Sequence, residues 1–363
     1  MSYGNTLAKL DAMRKYYDTL WCNHYWNEFV LKNQDVINYD SLSNNSNITW
    51  DIVKDNPDKP WDWYMMSYND NITWDIINNN LYNLWSWHGL SRHPNITWEI
   101  IKNNPDKPWN WDGISRNPNI TWDIIKNNPD KPWNWGGISR NPNITEDIIK
   151  DNPDTPWDYY TLSSNPNITM DIIKDNPTKP WNWFGISKNP NITWDIVEGN
   201  PDEEWYWVGL SINPNITWDI VEANPDKPWT WAWLSLHPNI TWDIIRDNPD
   251  KPWNWYGLSQ HPNITWDIVR DNPDKQWRWT GLSRNPNITM NIVKDNLDKP
   301  WDWVYLSSNL FTKQKELFME EQYRKHNAAF KIQTYWRRAN YNPEYLLCRN
   351  RLMHECDMLG IVD

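Results

Sequence analysis

Residues 117–140 read Asn-Pro-Asn-Ile-Thr-Trp-Asp-Ile-Ile-Lys-Asn-Asn-Pro-Asp-Lys-Pro-Trp-Asn-Trp-Gly-Gly-Ile-Ser-Arg, and the chain is largely built by repeating this stretch. Eleven copies run without insertion or deletion from Asn47 through Ser308, the Asn of each Asn-Ile-Thr triplet falling on every twenty-fourth residue from Asn47 to Asn287. A decayed further unit covers 23–46, where Asn23, Trp26 and Asn27 precede Asn47, Trp50 and Asp51 by one period. A period of roughly 20 to 50 residues marks a repeat architecture, in which each unit leaves an apolar face that only its neighbours cover.

The unit contains two related halves, Asn117 to Asp123 and Asn128 to Asn134, each opening on Asn-Pro-Asn/Asp turn chemistry. In the first half Thr121 is a natural N-cap for a helix over Trp122–Asn127, with Asp123 adding negative charge to its first turn. In the second half Asp130 is the expected cap, Pro132 fits the first turn, and a helix is expected from Trp133 to about Arg140. Seven of eleven units place Gly four residues after the second Trp, as at Gly113, Gly209 and Gly281, which predicts close approach of a neighbouring element. The expected fold is all-α: an α-solenoid of about twelve two-helix units with helical caps at both ends, in an arc roughly 100 to 120 Å long. A β-solenoid is the competing reading of the Trp-Asn-Trp alternation, weakened by up to three prolines per unit that remove ladder donors.

Composition bounds the function. A net charge of −12 and a mean hydropathy of −0.89 ordinarily indicate disorder. Tryptophan reverses that expectation: 29 of the 33 occupy three repeat positions, those of Trp50, Trp61 and Trp63, and are expected in the core. The acidic balance argues against nucleic acid as partner, and no apolar stretch approaches the roughly 18 residues that span a bilayer. Three cysteines without metal-ligand spacing, and an amino-terminal stretch lacking a secretory pattern, point to an intracellular, cytoplasmic protein that is not secreted. The Asn-Ile-Thr sequons then read as local backbone chemistry.

The expected domains are a capping helix over 1–22 with a stripe of Leu10, Met13, Tyr17 and Leu20, the degenerate repeat 23–46, the eleven repeats 47–310, and a helical module over 311–363. Residues 312–363 carry nine Lys or Arg against seven Asp or Glu, so this module is about +2. Its first helix is expected from near Thr312 to Asn340, and a second, opened by Asn342-Pro343-Glu344, carries Tyr345, Cys348, Leu352, Cys356 and Leu359.

Candidate chemistry is sparse. There is no phosphate loop, nucleophile motif or distinctive carboxylate pair, so an enzyme, a cofactor and a metal site are not expected. His93, His237 and His261 replace the first Asn of the turn, too far apart in successive layers to share a metal. The units 191–214 and 215–238 depart furthest from the consensus: Glu198, Glu203, Glu204 and Glu222 replace Lys or Pro, Ile212 and Leu236 replace basic residues, and Trp233 replaces Gly. With the variable-position residues Val208 and Ala232 they form a candidate partner-binding patch, an acidic rim beside extra apolar side chains. The alternative is drift in a tolerant repeat.

Around Ala328-Ala329-Phe330-Lys331-Ile332-Gln333-Thr334-Tyr335-Trp336-Arg337-Arg338 the chain resembles the opening of an IQ motif, matching at Ile332, Gln333 and Arg337, with Arg338 where that family usually has Gly. The resemblance implies binding of a calmodulin-like protein; the alternative is that Ala329, Ile332 and Trp336 pack on the last repeat. The repeat as a whole resembles the tandem Asn-Pro-Asn-Ile-Thr-Trp/Lys-Pro-Trp-Asn-Trp proteins of amoeba-infecting giant viruses, which implies a virus-encoded protein in the host cytoplasm without naming an activity. The expected function is a monomeric, non-enzymatic scaffold presenting an extended surface to a protein partner. A self-associating component of a particle is the alternative, and an exposed-Trp sugar binder a third reading.

Overall fold

The computed structural model describes residues 3–341 together with 350, 351 and 354, in two compact units: Met1–Asn23 with Lys313–Asp363, and His24–Thr312. Among the described residues every regular element is helical, which excludes the β-solenoid.

Within His24–Thr312 each repeat holds two helices of four to six residues, such as Trp122–Lys126 and Trp135–Ser139. The first opens where expected, with Thr121 extended and its hydroxyl accepting from the Ile124 N–H. The second starts later than expected: Asn134, not Asp130, is the cap, its side chain accepting from Gly137 N at 2.7 Å. The reason lies in Trp133, which must leave the helical path to turn its indole inward. Its Nε1 donates to Asn128 O at 2.8 Å, while the Asn128 amide donates back to Ile124 O at 2.7 Å. Both bonds recur in all eleven full units, so one Asn closes the end of the first helix and anchors the central Trp.

Tryptophan is less uniformly internal than composition suggests. The indoles equivalent to Trp61 are the deepest, Trp61 and Trp157 being 7% and 6% exposed, whereas those at the first residue of each helix are half-buried. Each deep indole lies against an aromatic ring of the preceding unit: Trp133 meets Trp111 edge-on at 5.2 Å and Trp98 at 5.8 Å, and Trp181 meets Tyr159 at 5.1 Å. Within the eleven full repeats the innermost apolar side chains are aliphatic or Met, including Ile114, Ile120, Ile138 and Ile144.

The seams between units are polar. Ser115 donates its hydroxyl to Trp111 O at 2.7 Å and accepts from the backbone N–H of Asn134 in the next unit at 2.9 Å. Asn141 inserts its amide into the preceding unit, donating to Ser115 O, Asn117 O and Ile120 O at 3.1 to 3.3 Å, while its carbonyl accepts from Asn143 N at 2.9 Å. The glycines fit the same seam: a Cβ on Gly113 would lie 2.8 Å from Ser91 Cβ, and one on Gly281 would lie 2.7 Å from Ser259 Cβ.

This seam occurs twelve times, because the array closes on itself. Ser307 accepts from Asn38 N at 2.9 Å, the contact each earlier Ser makes to the unit after it. Asn45 donates to Ser307 O and Asn309 O at 2.9 and 3.1 Å, matching the bonds of Asn69 to Ser43 O and Asn45 O at 3.0 and 2.9 Å. Asn47 reaches Leu310 O as Asn71 reaches Ser46 O. The expected arc is therefore a closed circuit, and the degenerate repeat 23–46 is its closing member.

That unit replaces the first helix with a π-helical turn, Trp26–Val30, and a 3-10 turn, Leu31–Asn33, burying Trp26, Phe29 and Val30. Phe311 stands where the next Asn-Ile-Thr would begin. It has φ 48°, costly for a side chain with a Cβ, and its fully buried ring meets Phe29 edge-on at 4.7 Å. The circuit is completed by an aromatic contact in place of a repeat.

In the other unit, the helix Tyr3–Tyr25 lies against the helix Thr312–Tyr341, with Tyr17 edge-on to Tyr323 at 5.0 Å, Trp21 against Phe318 at 5.5 Å and Lys315 paired with Asp18 at 2.9 Å. The buried seam uses Tyr17 and Trp21, whereas Met13 and Leu20 of the expected stripe are half-buried. Of the expected second helix only 350, 351 and 354 are described, all helical, and its stripe of Tyr345, Cys348, Leu352, Cys356 and Leu359 lies outside the described residues.

The seam amide gives a direct test at Asn165, which donates to Ser139 O, Asn141 O and Ile144 O. Asn165→Leu strands buried carbonyls and should cost about 2 to 5 kcal/mol by urea unfolding, while Asn165→His should cost less than about 1.5 kcal/mol, since His fills this position in three other units. Equal losses would contradict the seam's chemistry.

Candidate functional site

Short second helices project two kinds of side chain away from the seam. The variable position of each helix includes Tyr64, Tyr160, Tyr256 and Val304, all exposed. The last helical turn supplies the residue equivalent to Arg116. The glycine contacts define how units meet on this face: a Cβ on Gly113 or Gly137 would touch the Cγ of Arg92 or Arg116 in the unit before, and one on Gly257 would lie 3.2 Å from Leu236 Cγ. Arg284 follows the same register, its guanidinium 3.7 Å from the centroid of the Tyr305 ring.

This register brings most of the expected patch together. Leu236 lies against Gly257 of the next unit, and by the same register Trp233, 40% exposed, stands at the glycine position that corresponds to residue 212 of the preceding unit. Val208 and Ile212 are half-buried, and Ala232 is exposed. Glu204 is exposed, and Glu203 half-buried. Ile332, Gln333 and Arg337 are exposed on the helix Thr312–Tyr341, which belongs to the other compact unit.

Beside the patch lies a groove with a volume of about 870 Å³, lined by Tyr160, Trp183, Phe184, Glu204, Tyr206 and Val208 among others. Three successive repeats contribute, and the rings of Phe184 and Tyr206 meet edge-on at 5.4 Å. Tyr160 and Tyr206 were not among the residues expected to bind. Their signal was faint, because Tyr160 sits at a position where almost any residue occurs, and Tyr206 is one of several departures, with Ser86, Thr230 and Arg278, from an Asn or Asp consensus. A second feature also escaped the sequence reading: Leu81, Tyr82 and Leu84 replace Pro, Asp and Pro of the consensus turn, and all three are exposed, Leu84 by 84%.

The remaining candidates are absorbed by the fold. Asn119 donates its amide to Pro94 O and Ile96 O of the preceding unit at 2.7 and 3.0 Å, so the Asn-Ile-Thr amide works between units and not only locally. A glycan on that nitrogen would remove one of these bonds. Among the described residues no group of three or more His, Cys, Asp or Glu is arranged to hold a metal ion.

Each of the three histidines takes the place of the seam Asn. Nε2 of His93, His237 and His261 lies 3.1, 2.9 and 2.9 Å from a backbone carbonyl of the preceding unit, and Nδ1 accepts from the backbone N–H two residues on. Only the neutral ring with its proton on Nε2 serves both partners. Burial holds all three imidazoles below their ordinary pKa, against an opposing upward pull from the carbonyl bond; Asp70 also raises His93, and His237 lowers His261.

No protein-family model matches the chain, and comparison with curated proteins and with solved structures returned no match.

The imidazoles give the protein a predictable acid response. Their folded pKa values lie below the unfolded one, so their contribution is complete above about pH 6.5 and is lost as the pH falls through the folded values. The triple variant His93→Asn, His237→Asn, His261→Asn should lose less stability than the parent between pH 7.5 and pH 5 in thermal or urea unfolding. Parallel pH profiles for the two proteins would contradict the neutral-ring seam.

Proposed function

We propose that the closed ring is a non-enzymatic scaffold whose second-helix face docks a protein partner, centred on Ile212, Trp233 and Leu236 with Val208, Ala232, Glu203 and Glu204 around them. One observation carries this reading. Across 191–238 the half-buried positions 212 and 236 exchange basic side chains for apolar ones and the exposed position 233 exchanges Gly for Trp, while the Ser and Asn or His bonds beneath them, from Ser187, Ser211, Ser235, Asn213 and His237, remain in place. Clustered exposed apolar area beside charge is the composition of an interface.

Closure also bears on the self-association alternative. A ring has no free terminal unit on which another copy can extend the array, so only face-to-face or side-to-side assembly remains. A second reading rests on the helix Thr312–Tyr341, where Phe330, Ile332, Tyr335 and Trp336 are each more than half exposed among Lys331, Arg337 and Arg338. That composition suits capture by an acidic, calmodulin-like protein. The helices among the described residues include none long and apolar enough to cross a membrane, and the repeat signature supports placing the protein among virus-encoded repeat proteins acting inside the host cell.

Restoring the consensus with Ile212→Arg, Trp233→Gly and Leu236→Arg should leave unfolding unchanged and weaken partner capture from the cell of origin by about tenfold or more. Unchanged capture would rule out this patch. Light scattering in dilute solution should return the monomer mass of 43.9 kDa; a stable oligomer would favour the structural-component reading.

A further inference from the structure

The repeat supplies its own comparison for the groove. In three units the Lys of the turn before the deep Trp, in Asp-Lys-Pro or Thr-Lys-Pro, lays its ammonium over the aromatic residue that opens the preceding second helix. Lys179 lies 4.9 Å from the Tyr159 centroid, and Lys227 and Lys251 lie 5.7 Å from those of Trp207 and Trp231. Where it does not, as at Lys107, Lys131, Lys275 and Lys299, the ammonium pairs with the adjacent Asp. Where the turn reads Asp-Lys, as at Lys107, Lys131, Lys227, Lys251, Lys275 and Lys299, it is electrically balanced.

Two full units lack the Lys without adding acid, at Tyr82-Asn83-Leu84 and Asp154-Thr155-Pro156, and a third puts carboxylates in its place. In 191–214 the turn reads Asp202-Glu203-Glu204 in place of Asp-Lys-Pro, so a neutral turn becomes three negative charges. Glu203 stands at the position from which Lys would reach the Trp183 ring. Among the described residues neither Glu203 nor Glu204 makes an ion pair, and no cation lies over Trp183. The bordering lysines are already placed on other rings, Lys179 on Tyr159 and Lys188 on Phe184 at 5.0 Å. The groove of about 870 Å³ opens at this place, and Glu204 and the Trp183 and Tyr206 rings line it.

We propose that this groove is a seat for a lysine or arginine side chain presented by a partner protein. The incoming cation takes the place on Trp183 that three other units fill with their own Lys, and Glu203 and Glu204 supply the opposite charge. An aromatic face and a carboxylate in one partly desolvated groove are the groups that recognise an ammonium or guanidinium. The proposal rests on the scaffold reading and assigns its acidic side a ligand class: the partner segment is basic, and the apolar patch of Ile212, Trp233 and Leu236 meets its uncharged part.

The test uses the full chain and a fluorescein-labelled, glycine-spaced peptide of four lysines, with its fully acetylated form as control, in fluorescence anisotropy near 0.15 M salt, where diffuse attraction is screened. The amine form should bind and the acetylated form should not. Glu203→Lys with Glu204→Pro restores the turn of the other units and should weaken binding by about tenfold or more. Asp55→Lys with Asp295→Asn, two exposed positions in units remote from the groove, changes the net charge by the same +3, from −12 to −9, and should leave binding within about twofold. Tyr206→Thr, which installs the residue found at Thr230 in the next unit, should weaken binding several-fold. Equal weakening by the two charge-matched double variants, or no preference for the amine peptide, would overturn the proposal. Loss of peptide binding with retained sensitivity of partner capture to the triple patch variant would sink the groove alone, and the converse would sink the patch alone.

Discussion

A helix of four to six residues is almost all ends. Its first four N–H groups and last four carbonyls have no partner within the helix, so very few backbone groups can satisfy each other. The architecture follows from meeting that demand with side chains. Thr121 and Asn134 cap the two helix starts, and Asn128 closes the end of the first helix. Ser115 and Asn141 carry bonds across the seam, so that a group left over in one unit is satisfied by the next. A buried polar group without a partner costs about 1 to 3 kcal/mol, which explains why a chain of such low mean hydropathy folds around Asn and Ser as much as around Ile and Trp. It also accounts for a period that tolerates no insertion.

Identical seams imply an identical rotation from unit to unit, and a constant rotation that divides a full turn returns the chain to its start. The decayed unit 23–46 keeps what closure needs and little else. Leu42, Ser43, Asn45 and Asn47 retain their roles, Tyr39 replaces a Trp against Trp61 at 5.5 Å, and Phe29 with Phe311 fills the place of a missing helix. Its sequence is worn where no neighbour demands a particular residue.

Much of this was legible in the residues, and the rest failed for identifiable reasons. The period, the Thr121 cap and the close approach at Gly113 follow from local chemistry. The start of the second helix did not, because Asp130 and Asn134 are equally good caps and the choice is made by Trp133 reaching Asn128 O, a contact five residues back. Closure was invisible since it is a sum of small rotations that no single residue encodes. In the candidate site, Glu203, Glu204 and Trp233 stood out as departures from consensus, while Tyr160 and the cation seat on Trp183 needed the register between units. A lysine that lies on the ring of the unit before it cannot be recognised from its own repeat.

The central claim is that the units form a closed circuit, and the distance between chain-remote units measures it directly. Tyr64 and Val304 are equivalent exposed positions two seams apart through the closure, and Tyr256 and Val304 are two seams apart along the chain. Spin labels introduced as unnatural amino acids at each pair should give the same distance distribution by double electron–electron resonance. An open arc of about 100 Å would instead hold positions 64 and 304 several times farther apart than 256 and 304, and that result would contradict the account.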